Sequence, residues 1–195
     1  MTRTRREFGG KSWILPWAFA IALTMPGFGS AHAAKDSAKD AARDSAKEMG
    51  SGAVSGLPVP RFVSLKSDHV NVRGGPTKDH DVSWVYTRSG LPVEVTAEFE
   101  NWRRVRDSEG AEGWVYHSLL TGKRTAVITL KSKDELAPLH DSADPASAVA
   151  ARLQMGVVAS VKRCNGNWCR ITGNGFDGWV EQRRLWGVYP GEKIE

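Results

Sequence analysis

Two cysteines and a set of tryptophans set beside arginines carry most of the chemical potential of this sequence. Cys164 and Cys169 are its only cysteines and lie in Arg163-Cys-Asn-Gly-Asn-Trp-Cys-Arg170. A two-residue turn at Gly166-Asn167 makes Asn165 and Trp168 the first cross-strand pair. Cys164 then faces Cys169 at the next pair, where side chains approach closely. A disulfide stapling a hairpin is expected, and it suits an oxidising compartment. The loop it closes is small, so its entropic contribution is about 2 kcal/mol at most. A redox pair would more often be spaced C-x-x-C, and a zinc site needs more ligands than these two.

The tryptophans sit in a phrase written twice. Asn101-Trp-Arg-Arg-Val105 runs on to Gly113-Trp-Val115, and Asn167-Trp-Cys-Arg-Ile171 runs on to Gly178-Trp-Val180. Side chains alternate across a strand, so Trp102 shares a face with Arg104, and Trp168 with Arg170. Val115 and Val180 are the natural core residues of the following strand, which turns Trp114, Tyr116 and Trp179 the other way. The alternation predicts an aromatic set on each copy, Trp102 with Trp114 and Trp168 with Trp179, flanked by Arg104 and Arg170. Such a shelf could hold an extended peptide or stack on sugar rings. The same residues could equally pack under loops or between the two copies, since aromatic pairs stabilise a fold by about 0.5–1.5 kcal/mol beyond burial. The pattern leaves both open.

Other candidates are weaker. His69, His80, His117 and His140 occur singly, without metal-ligand spacing, and no metal or cofactor is expected. Arg73-Gly-Gly-Pro76 lacks the Lys-Ser/Thr and the helix of a phosphate loop and reads as a turn. Arg183 and Arg184 could touch an anionic partner or simply be solvated. A cysteine nucleophile would need a free thiolate near a histidine, a serine nucleophile would need its elbow motif, and neither is present. No enzyme is expected.

The elements that must position these residues are short and β-rich. Runs such as Leu91 to Ala97, Trp102 to Arg106, Gly113 to Leu120 and Trp168 to Thr172 are broken by Ser89-Gly90, Asp107-Ser-Glu-Gly110, Asn165-Gly166 and Gly173-Asn-Gly175. That spacing predicts an all-β barrel or sandwich. The duplication can be laid out by offset. Val63-Ser-Leu-Lys-Ser67 returns as Ile128-Thr-Leu-Lys-Ser132 at a shift of 65, Gly90, Val95 and Trp102 return at 66, and Gly113-Trp-Val115 returns at 65. A period of that length fits a small domain rather than a solenoid repeat.

Val70-Asn-Val-Arg-Gly-Gly-Pro76, Gly90-Leu-Pro-Val-Glu-Val95, Asn101-Trp-Arg-Arg-Val105 and Gly113-Trp-Val115 together resemble the bacterial SH3 (SH3b) domain. The second copy keeps the later half of the pattern, while Leu136-Ala-Pro-Leu-His140 stands where Val-Asn-Val-Arg-Gly would be. Tandem exported proteins of an alphaproteobacterial type are similar. The resemblance implies two five-stranded barrels, over residues 61–124 and 125–195, and binding rather than catalysis.

The chain opens with a basic head (Arg3, Arg5, Arg6, Lys11), an apolar run from Trp13 to Met25 and Ala31-His-Ala33. This reads as a secretory signal peptide over residues 1–33. A membrane anchor fits less well, because a span needs about 20 apolar residues. The Arg5-Arg6 pair partly matches a twin-arginine signal, with general secretion the better fit. Residues 34–60 form a charged Ala/Gly-rich spacer with Lys or Arg and Asp or Glu every four residues, expected to be solvated and partly helical. The whole chain carries 27 basic and 22 acidic side chains, and removal of residues 1–33 leaves 23 and 21, a net +2. The overall basicity therefore belongs to the signal, and no nucleic-acid partner is expected. Neither is stable membrane insertion once the signal is cleaved. The expected role is a periplasmic or secreted binding module for peptidoglycan or an extended peptide, or else an adaptor contacting another envelope protein.

Overall fold

The structure, a computed structural model, describes residues 50–52 and 54–195. The expected signal peptide and the spacer up to residue 49 lie outside the described residues. Where the spacer is described it is not helical: β1 (Gly50–Ser51) pairs antiparallel with β2 (Pro58–Val59).

Two sheets follow. The first contains β3 (Arg61–Leu65), β4 (Val70–Arg73), β5 (Val82–Tyr86), β6 (Pro92–Phe99), β7 (Trp102–Arg106), β8 (Glu112–Tyr116) and β9 (Leu120–Thr121). The second contains β10 (Thr125–Ile128), β11 (Ala137–His140), β12 (Val149–Leu153), β13 (Val158–Asn165), β14 (Trp168–Gly173), β15 (Phe176–Glu181) and β16 (Leu185–Trp186), with β17 (Lys193–Ile194) added on β13. Spatial order is β5-β4-β8-β7-β6-β3-β9 in one and β12-β11-β15-β14-β13-β10-β16 in the other, the same order strand for strand. Each copy closes with a single 3₁₀ turn, His117–Leu119 or Gln182–Arg184. The five strands implied by the family resemblance are β3, β6, β7, β8 and β9 in the first copy. The β4–β5 hairpin is laid onto β8 beside them.

Each sheet encloses its own core. Val63, Leu65, Val70, Val72, Val93, Val95, Val105 and Val115 meet in the first. Ile128, Leu139, Val161, Cys169, Ile171 and Val180 are among those that meet in the second. Strands far apart in the sheet order, β3 and β4 for instance, share one core, so the sheet must curl round it. Both sheets break register at the same place, between Val95 and Ala97 in the first and between Val161 and Arg163 in the second. A bulge bends a strand and raises its twist, which is how so small a sheet turns on itself.

The repeated Gly-Trp-Val is now explained by packing. The valine fills the core. A Cβ on Gly113 would fall 2.4 Å from Val72 Cγ1, and one on Gly178 2.7 Å from the His140 carbonyl oxygen. The β4 or β11 strand crosses so closely there that only glycine fits. Because β11 takes the same place as β4, the second copy keeps the early half of the fold even though its sequence there departs.

One offset must be corrected. Leu65 exchanges backbone hydrogen bonds with Gly90 and Leu91, and Ile128 exchanges the equivalent ones with Gly156 and Val157. Leu65 therefore matches Ile128, a shift of 63 rather than 65. A slip of two residues leaves every side chain on its original face, so alternation alone could not detect it.

Candidate functional site: a cleft between the barrels

The two barrels are joined by the short Gly122-Lys-Arg124 link, and hydrogen bonds tie them together. Ser64 Oγ lies 2.6 Å from Thr125 Oγ1, Thr125 donates to the Gly90 carbonyl at 2.7 Å, and Arg88 donates to the Gly156 carbonyl at 2.9 Å. Gly187 has φ +116°, and a Cβ there would fall 2.4 Å from the Thr125 carbonyl oxygen and 3.1 Å from Pro92 Cβ. The barrels touch at that point without room for a side chain.

Beside this seam lies a cleft of about 800 Å³ lined from both barrels. Phe62 of β3 meets the Trp186 ring edge-on at 5.2 Å and the Tyr189 ring at 4.7 Å. Trp168, Leu185 and Val188 extend the apolar lining, and Arg106, Asn167, Glu181 and Arg183 line it as well. Glu94, 3 % exposed, receives the Tyr189 hydroxyl at 2.9 Å across the seam and the Arg106 guanidinium at 2.5 and 3.0 Å. Burial and the Glu94 carboxylate hold the Tyr189 phenol above its ordinary range, and Glu94 raises Arg106 likewise. Both groups keep their protons at any neutral pH. Burial pushes the Glu181 carboxyl up, but hydrogen bonds from Arg184 and Arg183 outweigh it and hold the group below its usual range.

The expected aromatic shelf does not form as a continuous surface. Trp102 is opposite Tyr116, not Trp114, and meets that ring edge-on at 5.4 Å while only 8 % exposed. Trp114 is opposite Arg104, which pairs with Glu112. Trp168 is opposite Glu181 and sets its ring against His140 at 5.3 Å. Trp179 is opposite Arg170, lies under the Arg163 guanidinium at 4.8 Å and faces a separate cleft with Ser142 and Ile194, while Arg170 binds Asp177 at 2.7 Å. Same-face tryptophans one pair out of step are diagonal neighbours, about 7–8 Å apart along the backbone, so the directly opposite residue takes the contact. Of the expected shelf residues, Trp168 alone lines the inter-barrel cleft.

Cys164 and Cys169 are disulfide-bonded at opposed positions of the β13–β14 hairpin, as its turn requires. Phe62, Glu94, Arg106, Trp186 and Tyr189 were not singled out in the sequence. One signal did exist. By strand pairing Trp186 takes the place of Thr121 in the first copy, so it is an aromatic that the shared fold does not demand.

A family model described as the bacterial SH3 domain matches residues 66–122 and again residues 133–187. The chain belongs to the bacterial SH3 domain family. Such domains are typically binding modules. No curated protein matches the chain. Two solved structures from Trichomonas vaginalis, NlpC1 and NlpC2, are each 13 % identical to it. Their TM-scores are 0.30 and 0.29, over 69 % and 66 % of this chain. The chain spans about half the length of each, 48 %, and likeness at this level carries no functional argument. Among the described residues no three His, Cys, Asp or Glu side chains gather as for a metal ion, and no helix is long and apolar enough to cross a membrane.

Proposed function

We propose that this tandem SH3 protein is a non-catalytic binding module of the cell envelope, and that it holds an extended peptide, the peptide part of peptidoglycan included, in the cleft between its barrels. The observation that carries the reading is the convergence of Phe62, Trp168, Trp186 and Tyr189 from both barrels on one cleft of about 800 Å³. Small-ligand sites are concave, mostly apolar and frequent at domain junctions. The leader-like residues 1–33 and the Cys164–Cys169 disulfide support a periplasmic or secreted location.

The two equivalent tryptophans separate binding from folding. Trp168→Ala strips the cleft wall, and retention on purified sacculi, competed by free muropeptides, should fall at least tenfold in a protein that still folds. Trp102→Ala lies outside the cleft and should leave retention unchanged while lowering stability by about 3 kcal/mol. Equal retention of wild type and Trp168→Ala would overturn the site. Capture of one envelope protein in place of sacculi would point to the adaptor role.

A further inference from the structure

We infer that the inter-barrel cleft selects a ligand rich in hydrogen-bond acceptors: an extended, largely apolar peptide bearing a carboxylate. This rests on the binding role proposed above and names the chemistry the cleft takes. The polar groups of the cleft differ in what they have left to offer. Both Glu94 oxygens are engaged, one by the Tyr189 hydroxyl and the other by Arg106, and the residue is buried. Both Glu181 oxygens are engaged by arginine, one by Arg183 and the other by Arg183 and Arg184 together. Gln182 uses its carbonyl on the Gly191 N–H and its amide on the Glu192 carbonyl. The Tyr189 hydroxyl keeps its proton and commits it to the hydrogen bond with Glu94.

The arginines are not spent. Arg106 engages Glu94 through Nε and Nη2, and Arg183 engages Glu181 through Nε and Nη2. In each the Nη1 amino group has no protein acceptor among the described residues. The two side chains are 43 % and 75 % exposed, so both can turn that group toward a ligand. Asn167, at the hairpin turn, offers one donor group and one acceptor group. The side-chain balance of the cleft is thus surplus donors above an apolar floor, with its carboxylates occupied. Charge-assisted bonds from arginine to carboxylate are the strong ones. An ammonium ligand would meet two guanidinium groups, and the two carboxylates of the lining are already paired with them.

The test uses three N-terminally or C-terminally blocked forms of the tetrapeptide Ala-Val-Ala-Ala: an acetylated free acid, an acetylated amide, and a free amine with an amidated C-terminus. Affinity is read from the indole N–H resonances of the protein, with muropeptides as the reference ligand. The free acid should bind about tenfold tighter than the neutral amide, a loss typical of one charged hydrogen bond, and the amine should bind weakest. Arg183→Gln, on a mostly exposed side chain, should shrink the acid-over-amide ratio toward one at unchanged melting temperature. Equal affinity for acid and amide, or a ratio untouched by Arg183→Gln, overturns the inference. So does binding of muropeptides at the cleft with no response to any tetrapeptide, and in that case the binding role stands. No response at the cleft to muropeptides or tetrapeptides overturns both.

Discussion

One cross-strand position is filled by two unlike bonds in the two barrels. In the first, Glu98 opposes Arg103, and the carboxylate lies 3.2 Å from the guanidinium Nε. In the second, the matching residues are Cys164 and Cys169, joined covalently. Both pairs close the end of a core, next to Val115 or Val180 on the neighbouring strand. They differ in what else they can hold. Glu98 also accepts the Val54 and Ser55 amides, the Ser55 hydroxyl and Arg61, so it anchors the β1–β2 hairpin on the barrel. A disulfide has no such capacity, and there the edge of β13 is covered instead by β17, with Ile194 paired to Cys164. Both copies link the two strands at this position, and the chemistry of the link decides what can be attached to it.

Glu98→Ala should have the largest effect. It leaves Arg103, 7 % exposed, without its carboxylate and frees the hairpin. Loss of one partner from a buried ion pair costs about 3–5 kcal/mol, so the first barrel should unfold well before the second in a denaturant titration followed by amide exchange. Glu98→Cys with Arg103→Cys gives the first barrel the link of the second. The engineered disulfide should restore much of the stability of the first barrel but not the anchoring, so proteolysis near Leu57 should stay fast. Slow cleavage in the double variant would show that the hairpin is held by something other than Glu98.

The converse change is smaller. Cys164→Ser with Cys169→Ser releases a link of short span, for which chain entropy gives about 2 kcal/mol. The loss should appear in the second barrel, where β17 and the Gly166-Asn167-Trp168 cleft wall rest on the same hairpin. A drop confined to the first barrel would refute the equivalence of the two positions.

The alternating pattern and the turn residues made the barrels, the duplication and the disulfide legible, because each follows from local rules. Val115, Val180 and the Cys164–Cys169 pair needed only alternation and a turn length. The Glu98–Arg103 pair is not legible in the sequence because charged residues in a strand ordinarily face water; nothing local marks Arg103 as the one turned inward apart from its sharing a face with Val105. Alternation fixes faces, not registers, and so does not reveal that Tyr116 rather than Trp114 stands opposite Trp102. The cleft was beyond reach for a different reason. Phe62 and Glu94 meet Tyr189 only when the barrels dock, and the Glu94–Tyr189 contact spans 95 residues. Residues unequal between the copies, such as Trp186 against Thr121, were the available hint.

Acid supplies the mildest test. Burial pushes the Glu98 carboxyl up, but hydrogen bonds from Ser55, Arg61 and Val54 outweigh this and bring it from 4.5 down to about 2. The Glu98 side chain is enclosed, while the Val54 and Ser55 groups that bind it are exposed, so solvent screens part of the effect. A depressed folded-state value means that the stabilisation is complete above about pH 4.5 and is lost as pH falls toward 2. By about pH 3.5 the first barrel should have lost about 1 kcal/mol through this group. Glu181 and Glu192, in the second barrel, are also held below their ordinary range, so that barrel is not acid-proof. Glu98→Gln isolates the contribution: it should weaken the first barrel at neutral pH and flatten its stability between about pH 4.5 and 2. The acid slope of the second barrel should not change. An unaltered slope in the first would mean that Glu98 is not the group that senses acid there.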